Sequence, residues 1–294
     1  MYRDQRVAVV MPVHNEESHV ERAINRVPSF VDMIVAVDDG STDDTLGVLS
    51  QIDDRRLTVL RHDRNRGVGA ATKTGYRYCL DTRSDLIAVM DGDAQMDGRD
   101  LVRLLDRALN GVEYVKGNRF LDSENIGDMP RFRYIGNRFF SWLTRLAAAF
   151  DDNLDAHCGY TVIQRQALNR LALDELYDRY GFPTEMFFAA CRTGLAVESV
   201  PVRTVYGDEV SGINPFTAVP AVFFLIARNY VCRRLDVAPG ERRHPALADF
   251  ASGVFRLLRG ALTQPGRQEC PRPRAPQTAF DRRQADPIHN HLEA

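Results

Sequence analysis

The clearest candidate for chemistry is the segment at residues 91–95, Asp-Gly-Asp-Ala-Gln, which follows the apolar run 86–90. A short apolar run bounded by polar residues predicts a buried strand, whose end surfaces at one edge of a sheet. Two carboxylates and an amide would then emerge together, and hard oxygen ligands suit Mg²⁺ or Mn²⁺. We interpret Asp91, Asp93 and Gln95 as the metal side of a diphosphate site. A simple Asp-Gly turn is the alternative, so the surrounding segments must decide.

Three earlier apolar runs, at residues 7–11, 33–37 and 57–60, also end in polar or small residues and lead into helical patterns. Strands that alternate with helices predict a parallel sheet, which binds ligands at the carboxyl ends of its strands. Capping of the next helix could explain Asn15, but Asp38 and Asp39 precede their helix cap and suit a base or ribose hydroxyls. The residues collected at these ends are Pro12, His14, Asn15, Glu16, Asp38, Asp39, Asn65, Gly67 and Gly69.

Composition narrows the class of protein. A chain of 294 residues can bury a large core without disulfides. A net charge of −2 argues against a general nucleic-acid binder, and Lys73 and Lys116 are the only lysines. The five cysteines are scattered, which fits reduced thiols in the cytoplasm. We expect no export, because the N-terminus has no signal-peptide pattern.

The four strand-end segments resemble, in order and spacing, the N-terminal motifs of family-2 glycosyltransferases of the GT-A fold, and most of all the polyprenyl-phosphate sugar transferases. Residues 115–120, 131–137, 155–160, 180–185 and 194–202 are similar to the later motifs of those enzymes. The resemblance covers roughly residues 7–211. It implies an α/β fold with a mostly parallel central sheet flanked by helices. A Rossmann dehydrogenase is disfavoured, since its glycine pattern belongs after the first strand.

The resemblance also implies an activity: metal-dependent, inverting transfer of a hexose from a nucleotide-diphospho-sugar, of the UDP-glucose or GDP-mannose type, to a polyprenyl phosphate. The cofactor would be Mg²⁺ or Mn²⁺. Asp91 and Gly92 would join the donor-binding residues, and Asp93, Arg119 and Arg131 would be catalytic. The acceptor phosphate would bind the planar guanidinium groups of Arg119, Arg131, Arg133 and Arg203.

We expect one GT-A domain at residues 1–212, with a nucleotide-sugar half to about residue 97 and an acceptor half after it. Residues 213–262 predict amphipathic helices, which would lie on a membrane or pack on the sheet. Residues 263–294 are rich in Pro, Arg, Gln and Asp and predict a disordered tail. The expected location is cytoplasmic, at the inner face of the cell membrane, and a homo-oligomer is left open.

One departure from the family pattern concerns the acceptor. Asp208 and Glu209 stand where those enzymes commonly carry an arginine. An alternative is therefore a family-2 transferase with a hydroxyl acceptor, a saccharide or small metabolite, which needs a carboxylate base. Glu185, Asp208 or Glu209 could supply it. A nucleotide-sugar-binding module without catalysis is disfavoured by the intact Asp91, Asp93 and Gln95.

Overall fold

A computed structural model describes residues 1–121, 129, 131–205 and 215–235, without the side chains of residues 131–133 and 215–218. Its strands form one sheet in the order β3-β2-β1-β4-β6-β5-β7. The strands are β1 Val7–Val13, β2 Met33–Asp38, β3 Leu57–Arg61, β4 Leu86–Val89, β5 Tyr114–Asn118, β6 Thr161–Gln164 and β7 Val197–Pro201.

Helices cover both faces of this sheet. Along β1, Ala8 and Val10 point to one apolar layer, whereas Val7, Val9 and Met11 point to the other, as the alternation of a strand requires. Both faces of β1 are therefore buried, which explains its continuous apolar run. The helices are α1 Val20–Asn25, α2 Thr45–Gln51, α3 Val68–Asp81, α4 Leu101–Leu109, α5 Arg131–Ala148, α6 Arg165–Leu168, α7 Phe182–Arg192 and α8 Pro215–Leu235.

The expected mixed α/β fold with a mostly parallel sheet is confirmed. Strands β1, β2, β3 and β4 pair in parallel, and so do β5 and β7. Strand β6, which the sequence analysis did not predict, lies antiparallel between β4 and β5. Its amino end therefore meets the carboxyl ends of its neighbours. The segment before β6, residues 155–160, is delivered to the edge of the sheet where the polar loops of β1, β2 and β4 collect.

The helix predicted near residues 216–235 is present as α8. Val222 and Ile226 are buried in the same apolar layer as α7. Glu185 of α7 accepts hydrogen bonds from Arg228 (2.6 Å) and Asn229 (3.0 Å) of α8. One face of α8 thus packs on the protein. The rest of the segment predicted to form amphipathic helices, residues 236–262, and the predicted disordered tail lie outside the described residues.

The helical pattern after β1 covers residues 16–27 of the sequence, and the helix that forms there is shorter. Helix α1 begins at Val20 and ends at Asn25. The residues before it bond to the loop that follows β2: the backbone N–H of Glu17 donates to Asp43 at 3.2 Å. These cross-loop bonds compete with the first helical turn.

Candidate active site

The loops after β1 and β2 are joined into one surface. Asn15 adopts φ 56°, in the left-handed region that Asn tolerates better than most residues. Its side-chain oxygen accepts from the backbone N–H of Thr42 at 2.8 Å. The backbone N–H of Glu16 donates to the Thr45 hydroxyl at 2.8 Å. Asn15 therefore holds the loop after β1 against the loop after β2. The same contacts place Glu16 close enough to Asp93 for their charges to interact.

Asp38 and Asp39 are adjacent and buried but make different contacts. Asp39 accepts from His62 Nδ1 at 2.6 Å and from the backbone N–H groups of Arg66 at 2.9 Å and Gly67 at 2.6 Å. Asp38 accepts from the backbone N–H of Ser41 at 3.0 Å. Its Oδ2 has no hydrogen bond, and Arg61 Nε lies 3.7 Å away. Asp39 thus anchors the loop after β3, while Asp38 keeps one carboxylate oxygen without a hydrogen bond.

The two glycines after β3, Gly67 and Gly69, pack against the backbone of residues 177–178. Gly67 adopts φ 106°, and a Cβ there would lie 2.5 Å from the carbonyl oxygen of Asp178. A Cβ on Gly69 would lie 2.4 Å from the carbonyl oxygen of Tyr177. Close packing of the start of α3 on residues 177–178 therefore requires both glycines by itself. Asn65 is exposed in the same loop, and donor binding by these three residues stays a prediction.

The segment after β4 is held in a tight turn beside the loop after β1. Ala94 adopts φ 59°, and its carbonyl oxygen accepts from Arg26. Asp93 accepts from the backbone N–H of Gln95 at 2.9 Å. The backbone N–H of Gly92 donates to the carbonyl oxygen of Pro12 at 3.3 Å. These contacts bring Pro12, Gly92 and the two carboxylates to one place, as the sequence pattern predicts.

Three carboxylates interact at this point. Burial, together with the charges of Asp93 and Glu16, raises the pKa of Asp91 to about 7. Burial also raises the pKa of Glu16, and the Asp93 charge adds to that shift. Crowded carboxylates with raised pKa values carry negative charge that the protein compensates poorly. A divalent cation would supply the missing positive charge.

The oxygen donors fit Mg²⁺ or Mn²⁺, but they form an incomplete shell. Within the described residues, no three His, Cys, Asp or Glu side chains are arranged to hold a metal ion. Mg²⁺ commonly uses one or two carboxylates, waters and substrate phosphates. Asp91 and Asp93, with the Gln95 amide, match that pattern if a diphosphate completes the shell. His14, in the adjacent loop, has a buried Nδ1 without a hydrogen-bond partner.

Arg119 faces this acidic cluster from the other half of the sheet. Its guanidinium donates to both oxygens of Asp155, at 2.6 and 3.0 Å. Burial would raise the pKa of Asp155, but the charge and hydrogen bonds of Arg119 outweigh it and lower that pKa. The Arg119 charge also acts to lower the pKa of Asp91. A bidentate clamp therefore orients a permanent cation beside the carboxylates.

The 155–160 loop connects the two halves of the site. A Cβ on Gly159 would lie 3.0 Å from Asp91 Oδ2, so the backbone of this loop lies against the carboxylate. The hydroxyl of Tyr160 donates to the carbonyl oxygen of Asp97 at 3.1 Å. The loop therefore contacts both the Arg119 clamp and the predicted metal segment.

The other predicted acceptor residues have different outcomes. Arg131 and Arg133 lie in the first turn of α5, but their side chains are outside the described residues. The backbone N–H of Arg203 donates to Asp100 at 2.7 Å. Glu185 is buried and its oxygens accept from Arg228 and Asn229. A base role for Glu185 would require breaking that network, and Asp208 and Glu209 lie outside the described residues.

Three side chains at the site had no predicted role. His62 bonds to Asp39, Asp155 clamps Arg119, and Lys116 is fully buried in β5. The contacts of His62 and Asp155 span 23 and 36 residues of sequence, so no local motif reveals them. Among these three residues, Lys116 alone stands out in the sequence, as a lysine inside an apolar strand. Its position indicates a specific buried contact, because charged side chains are rarely buried without one.

We predict opposite consequences for Asp38→Asn and Asp39→Asn. The second change leaves an amide facing the backbone N–H groups of residues 66 and 67, and should lower the unfolding free energy by about 2 kcal/mol. The first should leave stability nearly unchanged and weaken nucleotide binding. Thermal unfolding and titration with UDP and GDP measure both. Equal stability losses in the two variants would contradict the division of roles.

We predict that Asp91→Asn stabilises the protein in EDTA. The folded state holds the Asp91 proton up to about pH 7, against a reference pKa of 3.8, so the stability contributed by Asp91 falls between these values. The unfolding free energy of the variant should exceed that of wild type, and the difference should grow as pH rises over this window, to on the order of 2 kcal/mol. Denaturant unfolding at several pH values measures it. A pH-independent difference would rule out crowded carboxylates as the cause.

Comparison with known proteins identifies the family. The model of glycosyl transferase family 2 matches residues 8–172. A UDP-N-acetylglucosamine–dolichyl-phosphate N-acetylglucosaminyltransferase of Methanococcus voltae is 26% identical, over 70% of this chain and 88% of its own. The polyprenol monophosphomannose synthase of Mycolicibacterium smegmatis is also 26% identical, over 81% and 92% of the two chains.

Solved structures share the fold. The UDP complex of glucosyl-3-phosphoglycerate synthase from Mycobacterium tuberculosis superposes with a TM-score of 0.60 at 19% identity, covering 78% of this chain and 81% of that one. The sequence resemblance drawn from the strand-end motifs is therefore confirmed. This chain belongs to glycosyl transferase family 2 and has the GT-A fold.

Proposed function

We propose that this protein transfers a hexose from a nucleotide-diphospho-sugar to a polyprenyl phosphate, with inversion at the anomeric carbon. The observation that carries the proposal is the opposition of two charged groups. The carboxylates Glu16, Asp91 and Asp93 lie on one side, and the Arg119–Asp155 clamp lies on the other. A site of this kind can hold an anionic acceptor close to a cation-bound diphosphate.

In the donor half, Asp38 would accept from the nucleoside, and Asp91, Asp93 and Gln95 would hold Mg²⁺ or Mn²⁺. The cation would neutralise charge on the departing nucleoside diphosphate. The Mycobacterium tuberculosis synthase has been solved with Mn²⁺ and UDP, and the archaeal relative is named for a UDP-linked donor. These names support a nucleotide-sugar donor here, with UDP the first nucleotide to test.

In the acceptor half, Arg119 would bind the acceptor phosphate. A phosphate monoester is anionic at neutral pH and needs no strong base to act as a nucleophile. The protein has to hold it against the charge of the donor, which a guanidinium can do because it stays protonated. A hydroxyl acceptor would need a base, and Glu185 is already bound by Arg228 and Asn229. The relatives named for dolichyl phosphate and polyprenol further favour the lipid phosphate.

An enzyme with a lipid acceptor has to bind at a membrane surface. The exposed face of α5 is suited to make that contact. Ile135, Phe139, Trp142 and Leu146 follow one another at helical spacing and are 45–66% exposed. Helices α5 and α8 contain seven arginines and no Asp or Glu, in a chain whose net charge is −2. Within the described residues, no helix combines the length and hydropathy needed to cross a bilayer.

An anionic lipid surface suits this face, since it accepts the four apolar side chains and attracts helices that are rich in arginine. We therefore propose that the protein binds the membrane from one side through α5, beside Arg119. The inner face of the cell membrane stays the expected location.

The function is tested by release of nucleoside diphosphate from UDP- and GDP-linked hexoses with Mg²⁺ or Mn²⁺, with and without a short polyprenyl phosphate. We expect release to rise at least tenfold with the lipid phosphate. Arg119→Gln should reduce that stimulation about a hundredfold, because a hydrogen bond to a charged group is lost at the reacting centre. Slow hydrolysis of the donor by water should change little.

Arg99→Gln is the matched control. Arg99 makes the same bidentate contact, to Asp97, but its side chain is 77% exposed. Its stimulation by lipid phosphate should equal that of wild type. A phosphorylated small metabolite with a free hydroxyl, supplied in place of the lipid, tests the alternative acceptor class. Turnover with that compound alone would overturn the proposal.

The membrane contact is tested by sedimentation with phosphatidylglycerol and phosphatidylcholine vesicles. Wild type should bind the anionic vesicles, and Trp142→Glu should weaken that binding about tenfold, because a charge replaces an aromatic surface that would enter the membrane. Val59→Glu, on the edge strand β3, is the control and should bind like wild type. Equal binding by Trp142→Glu and wild type would exclude the face of α5.

A further inference from the structure

Lys116 is a buried cation that the proposed chemistry does not use. Its side chain is 0% exposed on β5, and its ammonium donates to the carbonyl oxygen of Cys158 at 2.8 Å. An ammonium carries three N–H donors, and this is the single hydrogen bond that the Lys116 ammonium makes within the described residues. Burying an ammonium is costly, so its position calls for an explanation.

The hydrogen bond from Lys116 to Cys158 ties the 155–160 loop to strand β5. The same loop is also tied at its start, where the backbone N–H of Ala156 donates to the Ser141 hydroxyl at 3.0 Å. Asp155, which clamps Arg119, lies directly before these two ties, and Gly159, whose backbone meets Asp91, lies directly after them. A shift of this loop would therefore change the spacing between the two charged halves of the site.

We infer that Lys116 is a positioning residue for the transfer reaction: through the carbonyl of Cys158 it holds the 155–160 loop, and so sets the placement of Arg119 relative to Asp91. This inference rests on the proposed function. Lysine suits the task because its compact ammonium fits inside a strand layer, whereas a guanidinium is wider and needs more partners. Lys116 also adds positive charge beside Asp155 and Arg119 without contacting substrate.

The charge of Lys116 responds to pH. Burial lowers the pKa of Lys116 to about 8. The charge of Asp155 acts to raise this pKa, and the charge of Arg119 acts to lower it. The other groups facing it from the loop do not titrate near that pH. Burial lowers the pKa of His157 to about 4 and raises that of Cys158 to about 11. Deprotonation above pH 8 should weaken the bond to the Cys158 carbonyl, because a charged donor makes the stronger hydrogen bond.

The test compares Lys116→Met with wild type in lipid-phosphate-dependent transfer between pH 6.5 and 9.5. Methionine keeps the volume, and apolar replacement of a buried charge is often tolerated. We expect kcat about ten- to a hundredfold lower near pH 7, as for a small misplacement of reacting groups, with the donor KM nearly unchanged. The wild-type rate should fall as pH rises through about 8, and this decline should be absent in the variant.

Lys73→Met is the matched control. Lys73 is also buried and donates to a backbone carbonyl, that of Leu176 at 2.9 Å. That variant should keep the alkaline decline. Ser141→Ala provides a second route, because it releases the same loop without removing a charge, and it should lower kcat while keeping the decline.

Wild-type kcat in a folded Lys116→Met would overturn the inference, as would an alkaline decline that persists in that variant. If Lys116→Met does not fold, the result for Ser141→Ala decides. Absence of transfer by wild type itself would instead reject the proposed function, so the two failures are distinguishable.

Discussion

The concentration of negative charge after β4 is the constraint on which the rest of the site depends. Asp91 and Asp93 emerge from a buried strand beside Glu16, and burial together with their mutual repulsion raises the pKa values of Asp91 and Glu16. Such an arrangement costs stability and is retained where function requires it. The charge of Arg119 acts against this repulsion, and under the proposed function a cation bound with the donor would supply the rest.

The antiparallel strand β6 makes that balance geometrically feasible. It runs between β4 and β5, so the 155–160 loop reaches the same edge as the carboxylates. Asp155 then orients Arg119, and Gly159 packs on Asp91. A purely parallel sheet would bring only strand carboxyl ends to this edge. One reversal of strand direction therefore places the Arg119–Asp155 pair beside the carboxylates.

Much of the fold and of the donor half follows from local sequence patterns. The apolar runs that end in Asp38 and Asp91 predict strands, and the polar residues after them meet as the edge of a parallel sheet requires. The position of β6 could not be predicted, because a four-residue strand carries little periodicity and its partners are distant in sequence. Asp38 and Asp39 look equivalent in sequence. Only the fold brings His62 and the backbone of Gly67 to Asp39.

The most direct measurement of the central claim is Mn²⁺ binding to wild type, followed by electron paramagnetic resonance with and without UDP or GDP. Two carboxylates and an amide should bind Mn²⁺ weakly alone, and the diphosphate of the matching nucleotide should tighten binding by about tenfold or more, with the reciprocal effect of Mn²⁺ on the nucleotide. Independent binding of Mn²⁺ and both nucleotides would contradict a metal-bridged donor site after β4.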